Sequence, residues 1–162
     1  MQSRREAIHT AVTVAFIVLY GLLIIFFVLF YNSAHLEVLL YLGWGILIIG
    51  IVFLFVASRS RRKVRASREK GENKGALVET GMYAFVRHPE FLGHMLIFVA
   101  LVLIAQYWAS ILVGVTLVVL LYLAMLDEER GNVEKFGAAY TDYMPRVPRI
   151  NLITGIIRFL KQ

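Results

Sequence analysis

Residues 91–126 read FLGHMLIFVALVLIAQYWASILVGVTLVVLLYLAML, a run of 36 positions without one charged side chain. As a single helix rising about 1.5 Å per residue it would measure about 54 Å, well beyond the roughly 30 Å hydrocarbon core of a bilayer. The run must therefore fold back on itself. Gln106-Tyr107-Trp108 is its most polar point and places two aromatic rings where headgroups sit, so the sequence predicts a turn there between spans over 91–105 and 109–126. The first of these is short, as suits a segment that begins inside the headgroup region or tilts little.

Two further uncharged runs lie upstream, at 11–31 and 38–57. Each has the twenty or so residues needed for a crossing. Gly43, Gly45 and Gly50 in the second allow helices to approach closely. Arg4 and Arg5 ahead of the first resemble the start of a signal peptide, but the apolar run is too long and no small-residue cleavage site follows, so the segment is expected to be retained. With 59% hydrophobic residues and a mean hydropathy of +0.72, the 162-residue chain reads as one membrane domain, 1–162. The expected fold class is an all-α polytopic membrane helix bundle of about four transmembrane helices plus a C-terminal amphipathic interfacial helix. The absence of cysteine excludes disulfides, thiolate nucleophiles and Cys-based metal sites.

The 17 Lys and Arg residues fall two before the first span, nine between the second and third, and six after the fourth, with none in the two opposite turns. The positive-inside rule then predicts both termini, the basic loop 58–90 and the segment 127–162 to be cytoplasmic, and only Glu37 is a charge near the outer face. The net charge of +6 points to anionic lipid rather than to nucleic acid. Arg59 to Lys74, with eight basic and two acidic residues, reads as a solvated or lipid-facing loop. Beyond the fourth span, 133–143 can form an amphipathic helix that Pro145 and Pro148 end, and 150–160 should lie along the interface.

Arg87-His88-Pro89 stands at the mouth of the third span. Pro89 suits a first helical position, which sets His88 near the N-cap. The free N–H groups of that first turn, the helix dipole and Arg87 together favour a bound anion; the plain alternative is an arginine that snorkels to lipid phosphate beside a capping histidine. Asp127-Glu128-Glu129 ends the fourth span, and the hairpin should return it to the same place. Such carboxylates can accept hydrogen bonds from ribose hydroxyls or an ammonium, or simply pair with neighbouring cations. His88 and His94 lie well apart around a helix and no third ligand is available, so no metal is expected. Neither GxGxxG nor a P-loop is present.

These features resemble the isoprenylcysteine carboxyl methyltransferase and phospholipid methyltransferase superfamily of integral membrane methyltransferases. The resemblance spans roughly Leu77 to Arg149 and is carried by Gly81-x-Tyr83, Arg87-His88-Pro89 with Gly93, Glu128-Glu129, Phe136-Gly137-x-x-Tyr140-x-x-Tyr143, and Arg146-Val147-Pro148-Arg149. It implies S-adenosylmethionine as cofactor, S-adenosylhomocysteine as product, and a lipophilic acceptor bearing a carboxyl, amine or thiol. By the same resemblance Tyr83, Arg87, His88, Pro89, Gly93, Glu128 and Glu129 would bind the cofactor. Tyr140, Tyr143 and Arg149 would face the substrate, with Glu129 and His88 as catalytic candidates. Phe91, Ala84 and Val133 depart from the usual pattern, and Leu123 replaces an arginine that the eukaryotic carboxyl methyltransferases carry. Membrane lipids are the expected surroundings, and no obligate protein partner is inferred. Two competing functions are an NADPH-dependent reductase of the sterol reductase type, which needs further cations for its phosphates, and a non-enzymatic membrane adaptor.

Overall fold

The computed structural model describes residues 2–69 and 77–161, and every regular element among them is helical. The elements are α1 (Gln2–Leu29), α2 (Glu37–Glu69), a 3-10 turn (Gly81–Ala84), α3 (Pro89–Ala105), α4 (Trp108–Phe136), α5 (Ala138–Arg146) and α6 (Leu152–Phe159). Each uncharged run has become one helix, and the long run 91–126 is broken at Gln106 and Tyr107 as expected. α1, α2 and α4 are long and apolar enough to cross a membrane, while α3 has 17 residues, at the short end of the spanning range. The protein is an all-α membrane helix bundle.

Two boundaries differ from the sequence reading. α2 runs on through the basic stretch to Glu69, so 58–69 is helix rather than loop. Ser58–Glu69 contains neither Gly nor Pro and is rich in Arg, which sustains a helix. The remainder of the basic stretch, at 70–74, lies outside the described residues. α4 likewise continues ten residues past Leu126, to Phe136, and stops at Gly137, whose φ of +55° with ψ of −128° is backbone that glycine adopts readily and that breaks the helix. Asp127, Glu128 and Glu129 thus lie within a continuing helix and escape the unfavourable dipole of a C-terminus. Pro145 is accommodated in the last turn of α5, which ends one residue later.

The chain forms two compact units, to both of which α2, α3 and α4 contribute. The first comprises Met1–Ile48 and Leu96–Leu121. Its core includes Leu23, Phe98, Ile104 and Leu117, with the Phe98 ring packed edge-on against Phe16 and Tyr20 at 5.9 and 5.1 Å. Gly43 lets α2 meet α3, since a Cβ there would fall 2.6 Å from Ile104 Cγ1. Between α3 and α4, the Gln106 side chain accepts from Leu36 N–H and donates to Leu36 C=O, both at 2.9 Å. Residues 32 and 33 donate backbone N–H groups to Ile104 and Ala105 carbonyls.

The second unit comprises Ile49–Met95 and Tyr122–Gln162. In it Gly93 meets Gly50 and Leu54 of α2, where a Cβ would lie 2.8 Å from Leu54 Cδ2. Tyr140, Tyr143 and Val147 form a second buried cluster, flanked by Leu77, Val133 and Phe136. In both units outward apolar side chains such as Ile17, Val38, Leu112, Phe55 and Leu123 are exposed, as a lipid-facing surface requires.

Candidate functional site

Two irregular segments, one leading into Pro89 and one passing through Pro148, build the floor of the site. A residue before proline is pushed out of the helical region, and Val147 before Pro148 accordingly has φ −120° and ψ 123°. After the 3-10 turn, the chain at 85–88 runs beside 148–149, with Arg87 N–H donating to Pro148 C=O (2.9 Å) and His88 N–H to Arg149 C=O (3.1 Å). These two donors at the mouth of α3 are therefore taken by backbone rather than left open for an anion. Pro89 then opens α3 as its first residue, fully buried.

The side chains of this floor converge on Glu129, which is 5% exposed. Its Oε1 lies 2.7 Å from Arg87 Nη2 and 3.4 Å from His88 Nε2, ion-pair distances without an aligned hydrogen bond. Its Oε2 accepts from Arg149 Nε at 2.8 Å. The return of α4 beside the start of α3 thus brings Glu129 to Arg87 and His88, as the sequence suggested, and Arg149 joins them from the segment after α5. Burial lowers the His88 pKa from near 6.5 to about 4, against the opposing pull of Glu129. His88 is therefore neutral at physiological pH, and the positive charge at the helix mouth is carried by Arg87. The Glu129 hydrogen bond raises the Arg149 pKa despite some desolvation.

Beside this cluster opens a cavity of about 170 Å³. Tyr83, Arg87, Glu128, Tyr140 and Tyr143 line it, five of the residues singled out from the sequence. His88, Glu129 and Arg149 stand behind Arg87 instead, and Gly93 lies at the α2–α3 contact; none of the four lines the cavity. Arg61, Asn132 and Lys135 also line it and were not anticipated. Arg61 was hidden in a supposed loop, and its ion pair with Glu90 joins α2 to α3. Asn132 and Lys135 were legible in principle, since they follow Glu128 at helical spacings of four and seven once α4 is known to continue.

Arg87 is 8% exposed, yet its Nε and Nη1 atoms have no hydrogen-bond partner, while the buried Tyr140 hydroxyl lies near Asn132 without an aligned hydrogen bond. Buried donors of this kind are rare and costly unless a ligand or water meets them. Tyr143 differs, for its hydroxyl donates to Tyr83 C=O at 2.5 Å. Burial raises the pKa of the Tyr83, Tyr140 and Tyr143 phenols, which are therefore protonated donors at neutral pH. Glu128 supplies the cavity with a carboxylate, and Arg61 and Lys135 with two more cations. Among the described residues no group of three or more His, Cys, Asp and Glu is placed to hold a metal ion.

Across residues 2–147 the chain matches the family described as "Protein of unknown function (DUF1295)", and it belongs to that family. No curated protein and no solved structure matches it.

Proposed function

We propose that this DUF1295 protein is an S-adenosylmethionine-dependent methyltransferase, akin to the isoprenylcysteine carboxyl and phospholipid methyltransferases, that acts on a lipid-like or membrane-partitioned acceptor at the cytoplasmic face. The observation that carries the reading is the pair of unpartnered buried donors on Arg87, joined by the Tyr140 hydroxyl, across a cavity from Glu128. A zwitterionic amino-acid end, carboxylate toward Arg87 and ammonium toward Glu128, satisfies both.

Glu129 holds Nη2 of Arg87 and so leaves Nε and Nη1 for the carboxylate. Glu128 accepts from the ammonium or from ribose hydroxyls, and the rings of Tyr83, Phe136 and Tyr143 offer faces to an adenine or a sulfonium. At about 170 Å³ the cavity is below the roughly 300–1,000 Å³ of pockets that enclose a whole ligand, so it takes the charged end. When bound, the cofactor supplies an electrophilic methyl group. The protein contributes alignment and exclusion of water. A carboxylate or thiolate acceptor needs no base, whereas an ammonium acceptor must lose a proton, for which Glu128 is the carboxylate facing the cavity. The basic residues clustered on this side of the spans support a cytoplasmic location for the site and both termini.

One observation favours a second reading. Arg61, Arg87 and Lys135 give the cavity three cations, as the phosphates of NADPH in a reductase of the sterol reductase type would require. Thermal-shift or calorimetric titration of the detergent-purified protein separates the two, because a ligand stabilises the fold it binds. S-adenosylmethionine and S-adenosylhomocysteine should both stabilise it and NADPH should not, with the effect lost in Glu128→Ala and Arg87→Lys. Stabilisation by NADPH alone would transfer the site to the reductase reading. Transfer of a labelled methyl group into extracted lipids then identifies the acceptor.

A further inference from the structure

α6 lies beyond residue 147, outside the stretch that matches the family, yet it is packed against the floor of the site. Gly155 is buried against the Phe85 carbonyl so closely that a Cβ would fall 1.9 Å from the oxygen and 2.8 Å from the carbon. The Phe85 and Phe159 rings meet with centroids 4.7 Å apart. Arg158 Nη1 donates to Pro145 C=O at 2.8 Å, and Asn151 caps the helix by accepting from Thr154 N–H. The segment 85–88 is thereby gripped twice, by α6 at Phe85 and by the Pro148 and Arg149 carbonyls at the Arg87 and His88 N–H groups. That segment carries Arg87, which lines the cavity and whose buried Nε and Nη1 have no hydrogen-bond partner.

The opposite face of α6 is apolar and open, with Ile153 73%, Ile157 48% and Leu160 77% exposed. A helix this short has little stability of its own and needs packing to persist. The same unit already presents exposed apolar side chains on its spanning helices, Ile51, Val52 and Phe55 of α2 and Leu123 of α4, which only lipid covers in a membrane. Arg158 and Lys161 at the end of α6 add the cationic flank that an interfacial helix turns toward phosphate headgroups.

We propose that α6 is a lipid-seated latch: its Ile153, Ile157 and Leu160 face enters the bilayer interface, and through Gly155 it holds the 85–88 segment so that Arg87 keeps its place in the cavity wall. The proposal rests on packing and exposure and is independent of which cofactor the cavity takes. Gly155 and Phe159 are positioning residues in this scheme.

The test uses the full chain in phosphatidylcholine nanodiscs containing phosphatidylglycerol. Hydrogen exchange of the Arg87 and His88 amides reports the latch, because those N–H groups are the donors to Pro148 and Arg149. In Ile153→Ser/Ile157→Ser/Leu160→Ser, whose substitutions touch no buried side chain, exchange at these amides should rise at least tenfold, while the amides of α3 from Leu96 to Ala105 keep their protection. Gly155→Ala should reproduce the effect. Unchanged exchange at 85–88 in both variants would overturn the latch. In a second arm, in a Trp44→Phe/Trp108→Phe background, Ile157→Trp fluorescence should be quenched by lipids brominated near the headgroup. Absence of quenching, or emission that instead changes with protein-to-lipid ratio as contact with a second copy would cause, would overturn the lipid seat.

Discussion

Among the described residues, the unit built from Met1–Ile48 and Leu96–Leu121 is fastened by neutral groups, the other by ions. In the first, Gln106 closes a turn with two amide hydrogen bonds and the interior is aliphatic and aromatic. In the second, a carboxylate is buried among two guanidinium groups and an imidazole. Either scheme can satisfy polar groups out of water, but a buried ion pair gains little stability over an apolar substitute and is costly to half-remove. The difference teaches where unmet polar chemistry is strongest: among the described residues the neutral unit leaves over an amide oxygen, Asn32 Oδ1, whereas the ionic unit leaves over two donors of the Arg87 guanidinium.

The largest effect should come from breaking the ionic scheme. Glu129→Ala strands Arg87 and is expected to destabilise the protein by about 3–5 kcal/mol, read from unfolding midpoints in bicelles. A loss below about 1 kcal/mol would mean the cluster is surface-like despite its burial. Next, Gly43→Val in the neutral unit overpacks the α2–α3 contact and should cost about 1–3 kcal/mol in the same measurement. Gln106→Ala should cost about 1–2 kcal/mol, since it unpairs the Leu36 backbone groups.

The pH profile sharpens the comparison further. His88 titrates near 4 when folded and near 6.5 when unfolded, so its contribution to stability is complete above about pH 6.5 and is lost as pH falls from there toward about 4, where the unfolded chain binds the proton first. His88→Gln should flatten that part of the profile, whereas Gln106→Ala should leave it unaltered. The smallest stability change belongs to Glu128→Gln, under about 1 kcal/mol, because its carboxylate faces the cavity. It should nonetheless abolish ligand-induced stabilisation, and a Glu128→Gln protein that still responds to the adenosyl ligands would remove Glu128 from the site.

Much of the site was readable because its chemistry is local. Arg87-His88-Pro89 announces a helix start, and a hairpin of known length returns Glu129 to it. The division of labour between adjacent glutamates was not readable. Neighbours on a helix point about 100° apart, so which one meets the arginine cluster and which the cavity depends on how α4 is rotated in its packing. The sequence likewise suggested open N–H groups near Arg87, and could not reveal that 148–149 would occupy two of them, since that pairing joins segments some sixty residues apart.

From its sequence alone the protein is a membrane bundle with a turn at Gln106, because charge-free runs of fixed length permit no other economical arrangement across about 30 Å of hydrocarbon. The neutrality of His88, the unpaired donors of Arg87 and the seat of α6 on Phe85 were decided only in three dimensions. Those properties belong to burial and to contacts between distant segments, and no periodicity along a chain encodes them.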